Sequence, residues 1–186
     1  MKRNNHASPV AVKATDRLTG ANEGAPAHRD AQALYTPEQR RRRDESGWTV
    51  VQGVLAPVQF LVFIVSLTLV LRTLATGEGA FAADISIVVK TAILYTIMVT
   101  GAIWEKVVFD RWLFAPAFFW EDVFSMAVLA LHTGYLAMLF WSIGSTEQRL
   151  LVALAAYGAY AINAGQFLWK LRVARLQSQP TAQVPA

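Results

Sequence analysis

The 186-residue sequence contains no cysteine, which excludes disulfide frameworks, thiolate nucleophiles, iron–sulfur clusters and cysteine-ligated zinc. Charge is scarce too: 16% of residues are charged against 54% hydrophobic, a balance outside the range of soluble domains. There is no phosphate-cradling glycine loop, no pair of histidines at metal spacing and no glycine-flanked serine, so no metal site is expected. Strand-like alternation is missing, which disfavours a barrel. The net charge of +4 lies beside apolar runs, not on a basic face interleaved with aromatics, and nucleic acid is set aside as a partner.

What is present is four apolar runs, at 48–71, 85–104, 123–142 and 150–169, each long enough to cross a hydrocarbon core as a helix. In lipid every backbone amide must be paired within its own segment, so the fold class expected is all-α: a polytopic four-transmembrane-helix bundle occupying residues 34–177. Residues 1–33, poor in bulky apolar side chains, read as a disordered cytosolic tail. They lack the apolar core of a secretory signal, and the tail is expected to be retained. Residues 178–186 read as a second disordered tail. Thr36-Pro37-Glu38-Gln39 is a capping-box pattern and predicts a short helix carrying Arg40, Arg41, Arg42 and Arg43 to the first span.

Near the span ends, Arg40 to Arg43, Lys106, Arg111, Lys170, Arg172 and Arg175 fall on one side and Arg72 and Arg149 on the other. Nine against two places both termini and the 105–122 connection in the cytoplasm. Pro57 is expected to kink the first helix, and Ala155, Ala159, Ala161 and Gly165 to let the fourth approach a neighbour. Lys90 reads as snorkelling to the non-cytoplasmic surface.

The 105–122 connection is the most unusual segment. It sets Trp104-Glu105-Lys106 and Trp120-Glu121-Asp122 at the two ends of a stretch rich in Phe and Trp. One reading is a flat apolar slot with acids at its rim, where burial beside aromatic rings equips a carboxyl to act as a general acid; the other is an aromatic belt at the headgroups with the acids in water. His132, mid-span, is a functional candidate or an interhelical hydrogen-bonding partner. It lies about 20° around the helix and about 16 Å along it from Glu121, so Glu121, Ser125, Val128 and His132 form one inward stripe. Tyr160, Asn163, Gln166 and Lys170 give the fourth helix a polar face, as packing or as a pocket wall.

Five blocks carry a resemblance: Leu34-Tyr35-Thr36-Pro37-Glu38-Gln39-Arg40; Trp48-Thr49-Val50-Val51-Gln52-Gly53-Val54-Leu55-Ala56-Pro57; Val99-Thr100-Gly101-Ala102-Ile103-Trp104-Glu105-Lys106-Val107-Val108-Phe109; residues 113–122; and Ile162-Asn163-Ala164-Gly165-Gln166-Phe167-Leu168-Trp169-Lys170. On these the sequence resembles the vinyl bacteriochlorophyllide hydratases of bacteriochlorophyll biosynthesis. The resemblance covers about residues 34–177 and does not extend to the tail before it.

The resemblance implies addition of water across the 3-vinyl group of chlorophyllide a, or of the matching bacteriochlorophyllide, to give the 3-(1-hydroxyethyl) pigment. It implies a multi-pass protein of the bacterial inner, intracytoplasmic membrane. No cofactor is implied, since the magnesium chlorin brings its own metal. On this reading Glu105 or Glu121 is the acid. Asp122 or the other glutamate orients water, and Trp104 and Trp120 flank the ring. His132 is an axial ligand to the pigment magnesium, and Asn163 and Gln166 bond ring substituents. Partners are then the pigment and the lipid bilayer, with a homo-oligomer or contact with other pigment-biosynthesis enzymes left open. A non-catalytic tetrapyrrole carrier or assembly subunit is the alternative. A transporter ranks last, because the first span offers almost no polar side chain.

Overall fold

The computed structural model describes residues 34–177 and contains five helices in that stretch. They are α1 (Pro37–Glu45), α2 (Gly47–Thr76), α3 (Ala80–Phe109), α4 (Phe119–Phe140) and α5 (Thr146–Gln177). The expectations for residues 1–33 and 178–186 lie outside the described residues.

Helix α1 starts on the capping box: Gln39 N–H donates to Thr36 Oγ1 at 3.2 Å and Thr36 N–H to Gln39 Oε1 at 2.9 Å. Its arginines are held locally, Arg41 and Arg42 by Glu38 and Arg43 by Asp44, with Arg43 also 4.7 Å above the Tyr35 ring. Ser46 ends α1 and caps α2 through Trp48 N–H, so the chain turns without a loop.

Helices α2 to α5 are each long and apolar enough to cross a membrane, and the chain is a polytopic membrane protein. They extend beyond the expected spans because hydropathy marks the hydrocarbon layer, whereas the helices run on into the headgroups. A 30-residue helix such as α2 is about 45 Å long against a core of about 30 Å. Helix α2 runs unbroken through Pro57.

The four spans form a ring of two antiparallel hairpins, α2–α3 and α4–α5. Each hairpin packs more extensively within itself than against the other, which it meets through α2–α5 and α3–α4. Gln52 to Thr100 (2.7 Å) and Ser66 to Ser86 (2.7 Å) fix the register of the first hairpin. The bundle is apolar outside and polar inside. Leu61, Val65, Ile162 and Leu168 are exposed, whereas Gln59, Ser66, Lys90, Thr91, His132 and Asn163 are buried.

Two expectations are corrected. Ala155, Ala161 and Gly165 face outward and Ala159 is half-buried. The inward face of α5 follows Leu150, Ala153, Ala156 and Tyr157 at three- and four-residue steps, with Asn163 seven residues on from Ala156, so Ala153 and Ala156 are the small residues that face inward. The first span is not without polar groups inside: Gln59, Ser66 and Thr73, seven apart, fall on its buried face beside Phe63 and Val70.

Candidate active site

The end of the bundle that carries α1 and the α3–α4 connection holds three buried carboxyls: Glu105 is 5% exposed, Glu121 6% and Asp122 5%. Glu105 lies near the C-terminal end of α3, and Glu121 and Asp122 lie in the first turn of α4. The connection turns back on left-handed backbone at Asp110 (φ 61°) and Phe114 (φ 58°). For a phenylalanine this costs about 1–2 kcal/mol. In return two successive backbone amides point inward: Phe114 N–H donates to Asp122 Oδ2 at 2.8 Å and Ala115 N–H to Glu105 Oε2 at 3.2 Å.

The buried Glu105 and Asp122 side chains lie together, each taking one of these two amides. Two buried carboxyls so placed hold a proton between them. Asp122 has the shorter amide bond and sits at the positive end of a helix dipole, while Glu105 sits towards a negative end, so the proton belongs to Glu105. Glu121 is separate in role. Lys170 Nζ donates to its Oε2 at 2.6 Å and also to the Ala117 carbonyl, which ties α5 to the connection. Just outside, exposed Asp110 accepts a hydrogen bond from Lys106 at 2.6 Å, which holds it below the ordinary aspartate range.

The aromatic residues of the connection pack on one another. Trp104 and Phe109 meet Phe118 edge-on at 5.7 and 5.8 Å, and Phe167 stacks on Phe118 at 5.8 Å. Tyr35, from before α1, stacks on Phe109 at 5.7 Å, and Trp104 Nε1–H donates to Thr49 Oγ1 at 3.0 Å. This cluster closes the bundle end around the acids. Trp120 lies outside it, 66% exposed and edge-on to Phe119.

The remaining sequence candidates line the interior below. Asn163 Nδ2 donates to Ser125 Oγ at 2.8 Å, leaving its carbonyl oxygen without a partner; Gln166 Oε1 is also without one. His132 is 1% exposed, and its Nδ1 lies 2.8 Å from the Val128 carbonyl. Only a protonated Nδ1 can bond a carbonyl, so the unpartnered Nε2 presents its lone pair. Sequence reasoning missed Lys90 and Gln59 as interior groups. Lys90 does not snorkel: it is fully buried, with Nζ over the rings of Tyr160, Tyr157 and Phe63 at 4.1, 5.3 and 5.8 Å. The seven-residue spacing of Gln59, Ser66 and Thr73 was the available signal for Gln59.

The family model of 2-vinyl bacteriochlorophyllide hydratase matches residues 35–173, a stretch that holds every group of this site. The chain belongs to that family. The 2-vinyl bacteriochlorophyllide hydratase of Rhodobacter capsulatus is 64% identical over 154 residues, covering 83% of this chain and 90% of the relative. That of Cereibacter sphaeroides is 67% identical over 149 residues, covering 78% and 91%. No solved structure matches the chain. Among the 2-vinyl bacteriochlorophyllide hydratases, then, this chain provides a bundle whose interior leads from a paired carboxyl site to a histidine with a free ring nitrogen.

Proposed function

We propose that this chain is a hydro-lyase that hydrates the 3-vinyl group of chlorophyllide a or the corresponding bacteriochlorophyllide, giving the 3-(1-hydroxyethyl) pigment. The observation that carries the proposal is the pairing of the Glu105 and Asp122 carboxyls in a buried site, on the amides of Phe114 and Ala115. Glu105 gives its proton to the terminal vinyl carbon, and the cation left on the inner carbon is spread over the macrocycle and faced by the Asp122 carboxylate. Water bonds to the inner carbon and releases a proton to Asp122. Transfer between the two carboxyls then returns the proton to Glu105, so acid and base are reset with no cofactor. Glu121, ion-paired with Lys170, is an anchor for the connection and not the acid.

His132 Nε2 is the axial ligand offered to the magnesium that the substrate carries, and Asn163 and Gln166 offer their free carbonyl oxygens to ring substituents or to the attacking water. Trp104 belongs to the cap over the site, and Trp120, exposed on the outer surface, meets lipid headgroups. The basic residues flanking this end support a cytoplasmic location for it and for both termini, at the bacterial inner membrane.

Membranes containing the protein, incubated with chlorophyllide a, are expected to yield pigment heavier by one water with a blue-shifted absorption band. Glu105→Gln and Asp122→Asn should each lower the rate by about 10²–10⁴-fold. Parental rates in both variants refute the carboxyl pair, and unchanged pigment with the parent protein favours the carrier reading.

A further inference from the structure

Lys90 remains unused by this chemistry. Its ammonium group is fully buried and has no hydrogen-bond partner, and no carboxylate among the described residues forms an ion pair with it. The rings of Tyr160, Tyr157 and Phe63 supply attraction for a cation but accept none of its three N–H bonds in the manner of an anion. Nearby Gln59, 2% exposed and one turn from Phe63 on the same face of α2, leaves both amide atoms unpartnered. A lone buried cation is strongly unfavourable unless something answers its charge, and the four residues here lie on two different hairpins, Phe63 and Lys90 on one, Tyr157 and Tyr160 on the other. Lys90 therefore sits at the seam between the hairpins, where packing is less extensive.

We infer that Lys90, with Gln59 beside it, binds the free carboxylate of the substrate and so selects the acid form of the pigment over its esters. This rests on the hydratase reading of the site above. A chlorophyllide differs from a chlorophyll in having that carboxyl unesterified, and the carboxyl-bearing chain and the vinyl group sit on different rings of the macrocycle. Along α3, Lys90 is 15 residues from Glu105, about 22 Å of helix, and His132 is 10 residues from Asp122 on α4, about 15 Å. From the acid pair inward the order along the bundle is therefore proton donor, magnesium ligand, carboxylate anchor. The aromatic cage keeps the ammonium in place before the pigment arrives.

The test compares the chlorophyllide with the methyl ester of its free carboxyl. Quenching of the protein's tryptophan fluorescence gives Kd for each pigment, and turnover is followed separately. The parent protein is expected to bind the acid about tenfold more tightly than the ester. Lys90→Met should weaken binding of the acid to the level of the ester and leave the ester's Kd unchanged. Equal affinity of the parent for both pigments overturns the inference, as does an equal loss for both pigments in Lys90→Met. The parent-protein comparison needs no variant to fold. If the parent binds the acid preferentially but hydrates neither pigment, the anchor stands and the hydratase reading falls.

Discussion

Two kinds of buried charge coexist at the residue scale. Lys170 and Glu121 neutralise each other at 2.6 Å, whereas Lys90 has only ring faces around it. Removing one partner of the first pair strands the other, so Lys170→Met or Glu121→Gln alone should destabilise the detergent-solubilised protein by about 2 kcal/mol. That is below the ~3–5 kcal/mol of a fully buried pair because the Lys170 side chain is 26% exposed. The double variant should recover most of that loss, a coupling that a thermal-unfolding double-mutant cycle measures. For Lys90 the sign reverses: Lys90→Met without pigment should melt higher than the parent, since no partner is stranded. The sequence marked the acids and His132 by their rarity in apolar surroundings. It gave no sign that Glu105 and Asp122 would lie together, because their pairing depends on a left-handed Phe114 that nothing in residue type demands.

Helices and connections form the next scale. The four spans were legible because uninterrupted apolar runs allow lipid-embedded backbone little else. Which face of α5 turns inward was not, since small residues occur on both sides and only the recurrence of Leu150, Ala153, Ala156 and Tyr157 at three- and four-residue steps tells them apart. That distinction predicts opposite outcomes. Gly165→Ala meets open space and should stabilise α5 by about 1 kcal/mol through helix propensity alone. Ala156→Leu, placed where exposure is nil, should cost about 1–3 kcal/mol by overpacking the bundle interior. Melting temperatures of the two variants in the same detergent compare them directly. The α3–α4 connection is fixed from three sides: by the Lys170 bond to Ala117, by the carboxyls under Phe114 and Ala115, and by Tyr35 packed on Phe118.

At the scale of the whole molecule, the lack of cysteine becomes an experimental asset. Single cysteines at Arg111 and at Glu78, on opposite ends of the bundle, can be probed in intact cells with a membrane-impermeant maleimide. With the active-site end in the cytoplasm, Glu78→Cys should label and Arg111→Cys should not until the membrane is opened; the reverse pattern refutes the orientation.

Lys90 also constrains how the protein is made. A lysine within an otherwise greasy stretch costs about 2.5–3.5 kcal/mol at the translocon, and α3 must pass with it before the tyrosines of α5 have been synthesised. Helix α2 precedes it, carrying Phe63 and the serine and glutamine that grip α3. Insertion of α3 already paired with α2 would shelter the lysine against Phe63 until translation delivers the second half.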